Sequence, residues 1–396
     1  MKSYIHLLCS NENLLKLSTV QLICYFGAWF SHMAIYTLLI DLEAPIWALS
    51  MAAAFTFLPS MILAPISGAI IDKVDTKTFM LLLTATEIIS VFCLLFINSL
   101  DYLWVLLALI FVRMGIGSIY FQTEMSLLPK LLSKDELKLA NEIHSIIWST
   151  SYALGMAIAG FYVHYFGVKS AFVADIVLYC VGYFLLTKIA IPSLIITNGV
   201  HVWQMMKDGF AYLKSNPKIF HLIFLHASVG LTAYDALIAL LAKNPYKEIL
   251  SVPLVIGFLN ASRAIALIFG QLLWGRFINN GTLFWLLFAQ GIGIGVWGLM
   301  QENFYISLIG MFCAGLFTTT LWSYTYTLLQ HQTSRDFYGR VIAYNDMFFM
   351  AISTLTSFVI GFLYTHTISL SNITLSIAWA FIAVSFYWLW IKKRYM

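Results

Sequence analysis

Seven ionisable side chains, Glu87, Arg113, Glu124, Asp175, Asp235, Arg263 and Asp346, lie inside long apolar stretches of the sequence. A charge in an apolar run is costly unless it is paired or hydrated, so each is a candidate for chemistry. Arg113 and Glu124 are eleven residues apart. At 100° per residue they point the same way to within about 20°, giving a polar stripe roughly 16 Å long on one helix. A carboxylate enclosed without a cation tends to take up a proton, and one beside a guanidinium stays ionised. Asp235, with Ser228 seven residues earlier on the same face, and Glu124 are therefore candidate proton carriers, with Arg113 setting the field around them. Arg263 lies at a depth comparable to Asp235, so a structural Asp235–Arg263 pair is the competing expectation. Glu87 and Asp346 read as inter-helix glue and Asp175 as an interfacial residue. His32 reads either as a titrating group in a wet site or as a hydrogen-bonded bystander.

The stretches that carry these residues are too apolar for water. Of 396 residues, 61% are hydrophobic and 10% charged, against about 25% charged in soluble domains. That excludes a soluble enzyme, a nucleic-acid binder and a disordered chain. The apolar runs are apolar all round for about 20 residues, which fits spanning helices and not barrel strands, whose residues alternate. The pattern predicts twelve transmembrane helices, in an all-α membrane protein of two pseudo-symmetric six-helix bundles: 1–191, a cytoplasmic amphipathic linker 192–217, and 218–396. Within the linker Val202, Trp203, Met206, Phe210 and Leu213 fall at helical spacing with Lys207, Asp208 and Lys214 between them. The five cysteines, Cys9, Cys24, Cys93, Cys180 and Cys313, are scattered and suggest neither disulfides nor a metal site. Trp203, Trp388 and Trp390 fit an interfacial aromatic belt.

The net charge of +4 matters less than its placement. With twelve spans, seventeen Lys and Arg fall on the side that bears both termini, while Lys169, Lys243 and Lys247 fall on the other. By the positive-inside rule the termini are cytoplasmic, which predicts an integral protein of the plasma (inner) membrane.

Between predicted helices 2 and 3 the chain reads Gly68-Ala-Ile-Ile-Asp72-Lys73-Val-Asp75-Thr-Lys77. This resembles the signature of the major facilitator superfamily at that place: Gly, three residues, Asp, a basic residue, then Gly and further basic residues. Gly68, Asp72, Lys73 and Lys77 match, and Asp75 stands where Gly is usual. The resemblance implies a gating motif in which Asp72 faces the positive N-terminus of helix 11. Arg113-Met-Gly115-Ile-Gly117 resembles a second superfamily signature, on helix 4, implicated in proton coupling. Leu127 to Asn141, and Gly339-Arg340-Val341 before helix 11, are similar to the drug:proton antiporter branch that includes macrolide efflux proteins and enterobactin exporters. Two places depart from the pattern. Helix 5 lacks the usual Gly-Pro pair, and Trp274 stands where a mirrored Asp is expected.

In this superfamily helices 1, 4, 7 and 10 line the substrate cavity. The resemblance thus implies a cavity set of Tyr25, Trp29, His32, Tyr36, Tyr234, Arg263, Trp322 and Tyr326, whose rings with one polar tip suit amphiphilic molecules. The expected function is secondary active transport by alternating access, proton-coupled export of a lipophilic or amphiphilic small molecule. An importer or exchanger of a metabolite or siderophore on the same fold is the alternative. The expected partners are that substrate, protons and membrane lipid, with no nucleic acid, and the expected state is a monomer. No cofactor or metal is expected, and without a P-loop or hydrolase motif the chain does not read as an enzyme.

Two outcomes test this reading. A cysteine introduced at position 212, in a background free of its native cysteines, resists an impermeant thiol reagent in intact cells; rapid labelling would place the linker outside. Asp72→Asn impairs transport but not membrane insertion, through loss of a helix-terminus interaction of about 0.3–2 kcal/mol. Wild-type transport by that variant would show that Asp72 does not latch the switch.

Overall fold

The computed structural model describes residues 2–71, 74–132, 134–190, 202–334 and 337–396. Asp72 and Lys73 of the gating motif, and the linker segment 191–201, lie outside them. Among the described residues seventeen α-helices follow one another: α1 (Lys2–Ser10), α2 (Glu12–Asp41), α3 (Ile46–Phe55), α4 (Leu58–Ile71), α5 (Thr76–Leu94), α6 (Leu103–Leu131), α7 (Lys134–Phe166), α8 (Val168–Thr187), α9 (Val202–Ser215), α10 (Pro217–Ala227), α11 (Asp235–Lys243), α12 (Val252–Trp274), α13 (Leu283–Leu299), α14 (Phe304–Gly315), α15 (Thr318–Gln332), α16 (Tyr338–Thr365) and α17 (Leu370–Tyr395). Among the described residues, eleven helical stretches are long and apolar enough to cross a membrane, and Leu283–Leu299 is a shorter apolar helix. At 1.5 Å per residue that twelfth helix still reaches about 25 Å.

The chain divides into two compact units, one of residues 1–44 and 63–199, the other of residues 45–62 and 200–396. In the first, α2 packs against α7 and α8, and α5 against α6 and α8. Lipid offers no hydrophobic drive between helices, so close approach over small residues takes its place. A Cβ on Gly182 would press on Cys24, and one on Gly27 would lie 2.6 Å from Asp175 Oδ1. In the second unit α13 packs against α17 and α14, α12 against α14, and α3 against α16 and α11.

Several predicted spans prove to be interrupted. Predicted helix 2 breaks at Thr56–Phe57, because Pro59 has no N–H to bond the preceding turn; Thr56 Oγ1 donates to the Ala52 carbonyl there. Predicted helix 7 passes through a 3₁₀ turn, Ser228–Thr232, before α11 resumes. At Gly230 the backbone runs against the Phe349 carbonyl and Ser353 of α16, and a Cβ would come within 2.8 Å of both. Predicted helix 10 breaks between α14 and α15. Away from water each freed backbone group needs a protein partner. Arg263 Nη2 donates to the Thr232 carbonyl at 2.8 Å, and Gln290 Nε2 donates to the Ala314 carbonyl at 2.7 Å.

Smaller differences have equally local causes. The helix α1 was not expected; Asn11 ends it and caps α2 by accepting from the Leu14 N–H. Trp388 is enclosed in the second unit rather than interfacial, whereas Trp390 is 41% exposed. Cys180 is exposed, and all five cysteines are free thiols.

Gln290 is fully enclosed; besides Ala314 it meets the Thr318 hydroxyl at 3.3 Å. Gln290→Leu leaves the Ala314 carbonyl only the longer bond from the Thr318 hydroxyl, at 3.5 Å, and lowers stability by about 1–2 kcal/mol, read as a lower Tm of the purified protein. An unchanged Tm would mean that the break needs no side-chain partner.

Candidate functional site

The first unit holds two buried polar clusters built on α6. At Arg113 the side chain turns toward α5 and α8. Its Nε lies 2.6 Å from Glu87 Oε1 and its Nη2 2.7 Å from Asp175 Oδ2. The Ser31 hydroxyl of α2 donates to the same Asp175 oxygen, and the Tyr179 hydroxyl of α8 is within hydrogen-bonding reach of Glu87. None of the three ionisable side chains is more than 6% exposed. Asp175 is therefore not interfacial as the sequence suggested. It sits eight residues into α8, enclosed against α2 at Gly27. Glu87 does join helices, as read, but through a charge that the sequence left without a partner.

Eleven residues further along α6, Glu124 is fully enclosed. Tyr25 of α2 donates its hydroxyl to Glu124 Oε2 at 3.1 Å, and the Gln21 amide is also in reach. Gln21 Nε2 stands 2.8 Å from His144 Nδ1 of α7, an arrangement that an imidazole carrying its proton on Nε2 satisfies. No Lys or Arg among the described residues pairs with Glu124. So the single polar stripe read from helical geometry divides: its Arg113 end engages α5 and α8, its Glu124 end α2 and α7.

Aromatic rings continue along α2. Trp29 meets Tyr152 of α7 edge-on at 4.9 Å and packs over Gly155. His32 lies between Trp29 and Tyr36, with centroids 5.5 and 5.1 Å away. Tyr36 is almost wholly buried.

In the second unit Trp322 and Tyr326 stack at 5.3 Å on α15. His226 of α10 is buried beside them, its Nδ1 2.9 Å from the Thr325 hydroxyl and its ring 5.7 Å from that of Phe349. Tyr234 is fully enclosed, against Trp297 at 5.1 Å and under the Arg263 guanidinium at 5.0 Å. Arg263 thus serves the helix 7 break directly, through the Thr232 carbonyl. Asp235 is the first residue of α11. Asp346 of α16 accepts from its neighbour Asn345 at 3.2 Å. Gly68 lies in α4, and Lys77 reaches the Thr187 carbonyl at 2.8 Å.

Sequence reasoning singled out Arg113, Glu124, Tyr25 and Trp29 but not four residues that the structure places in these polar contacts. Gln21, His144 and His226 carry no charge that hydropathy would flag, and Gln290 looks like any polar residue in a glycine-rich run. Asp175 was visible as a charge inside an apolar helix, and only its depth was misjudged.

Comparison with known proteins follows the geometry. The Major Facilitator Superfamily family model matches residues 17–247. Macrolide efflux protein A of Streptococcus pyogenes is 22% identical over 326 residues, 79% of each chain. The protein of the same name from Enterococcus faecalis is 22% identical over 301 residues, 72% of this chain and 92% of that one. Among solved structures, the nucleoside transporter NupG superposes with a TM-score of 0.76 at 11% identity, covering 96% of this chain and 99% of that one. A peptide transporter, POT, in complex with alafosfalin superposes with a TM-score of 0.72 at 12% identity, covering 97% and 95%. These superpositions carry the fold alone, an all-α membrane-protein architecture.

Proposed function

The chain belongs to the major facilitator superfamily, and we propose that it is a proton-coupled exporter of lipophilic or amphiphilic small molecules working by alternating access. It is a membrane transporter and not an enzyme. The relatives named for macrolide efflux support the outward direction and an amphiphilic substrate.

One observation carries the coupling: Glu124 is wholly enclosed, with a tyrosine hydroxyl and an amide at its carboxyl group and, among the described residues, no ion pair. An ionised carboxyl group in that setting costs several kcal/mol. A proton removes the cost when the site is closed, and water or substrate removes it when the site opens. Tyr25 and Gln21 soften the penalty enough for the proton to leave. Alternating access then exposes one group to two environments of unequal proton affinity, which is what converts a proton gradient into work. Asp235 suits this role less well, because it is only partly buried. The Trp29, His32 and Tyr152 rings, continuing along α2 and α7 from Glu124, supply apolar faces with polar edges for the substrate, with Tyr36 packed behind His32. The chain works in the plasma membrane with both termini cytoplasmic, and as a monomer.

Glu124→Gln keeps the hydrogen-bonding shape but cannot ionise. In inverted membrane vesicles supplied with a macrolide or a lipophilic dye, the variant loses pH-gradient-driven accumulation and retains downhill exchange. Full gradient-driven accumulation by Glu124→Gln would remove Glu124 from the coupling pathway.

A further inference from the structure

Arg113 is bonded by two carboxylates, and among the described residues no second cation pairs with the cluster. Glu87 approaches from α5, Asp175 from α8 and Ser31 from α2, while Tyr179 of α8 completes the surroundings of Glu87. The other titratable group that acts on both carboxyl groups is Cys24 of α2; Glu124, further along α6, acts on Cys24. Neither contributes a positive charge. With both carboxyl groups ionised, the cluster would carry one negative charge in excess in a site that water does not reach. Carboxyl groups that share a site in this way titrate as a unit, and the first proton belongs to the pair.

We propose that Glu87, Arg113 and Asp175 form a second proton site of this transporter, distinct from Glu124, which holds one dissociable proton shared between the two carboxyl groups. The geometry also sets how that proton leaves. Asp175 is covered by Ser31 and Gly27 of α2, so water reaches it only when α2 parts from α8. Proton exchange at the cluster therefore reports movement of α2. In transport this site rests on the proton-driven reading; its occupancy does not.

The experiment is infrared difference spectroscopy of the purified full-length protein in nanodiscs, titrated from acid to alkaline pH. It follows the carbonyl stretch of protonated carboxylic acids, which ionised carboxylates lack. Glu87→Gln and Asp175→Asn each leave one carboxylate against one guanidinium, so each is expected to lose the intensity of one titrating carboxylic acid. Glu124→Gln is expected to remove a different band. Unchanged carboxylic-acid intensity in both Glu87→Gln and Asp175→Asn would overturn the proposal and leave the cluster a permanently ionised structural joint. Should either variant fail to fold, Glu87→Asp and Asp175→Glu keep both carboxyl groups. At least one is then expected to shift the band, and no shift in either overturns the proposal equally. Because the readout needs no substrate, its failure is distinguishable from failure of the Glu124 assignment, which is read from accumulation in vesicles.

Discussion

A guanidinium enclosed among apolar helices must bring its counter-charges with it, and Arg113 does so from two other helices at once. Its bonds to Glu87 and Asp175 fix α5 and α8 against α6, and the Ser31 hydroxyl draws α2 into the same knot. Removing the guanidinium from such a knot strands its buried carboxylates, which costs more than the pairs contribute. The glycines follow from the same requirement. Gly27 leaves Asp175 the room to face α2, and Gly182 brings α8 close to Cys24 one turn earlier on α2. Small residues at these points are the condition under which the charges meet, and they set the spacing at which α2 and Glu124 come together.

The second unit meets the same constraint with backbone rather than charge. Its interrupted helices free carbonyl groups that lipid cannot solvate. The partners are long polar side chains from neighbouring helices, Arg263 for Thr232 and Gln290 for Ala314. Around the α10–α11 interruption lie Tyr234, Asp235 and Gly230, and beside it His226 joins the Trp322 and Tyr326 pair. A break that is fully bonded in one conformation is also a place where the backbone can turn, provided the same partners follow. Arg263 and Gln290, both flexible side chains, are suited to that.

How far the sequence could be read depended on what each feature needs from its neighbours. Spans, fold class and the family signatures came from hydropathy and local motifs, which depend on nothing beyond the segment itself. Arg113 and Glu124 stood out because a charge in an apolar run is conspicuous on its own. Their partners did not, because which helix faces which is a property of packing. The 100° rule placed both residues on one side of α6 but could not show that α5 and α8 stand at one end of that line and α2 and α7 at the other. The helix breaks were half legible: Pro59 announces one, whereas those at Ser228–Thr232 and after Gly315 arise where the chain meets α16 and α12, at Gly230 against Phe349 and at Gly270 against the Leu316 carbonyl.

The two units thus divide the physical work. Among the described residues, all buried ion pairs and the fully enclosed carboxyl groups lie in the first unit, while the second combines interrupted helices with a buried imidazole and stacked rings. Proton chemistry needs low dielectric and fixed partners, because the affinity for a proton must differ sharply between states. Substrate chemistry for lipophilic molecules needs broad apolar faces with few fixed polar points. The charge-knotted helices of the first unit suit the first demand, and the ring-lined faces of α2 and α7 suit the second. On the proposed reading α2 is the element that joins them. It carries Ser31 against the Arg113 cluster, Tyr25 against Glu124, and Trp29, His32 and Tyr36 as a ladder of rings, so a single shift of that helix would change proton access and the substrate surface together.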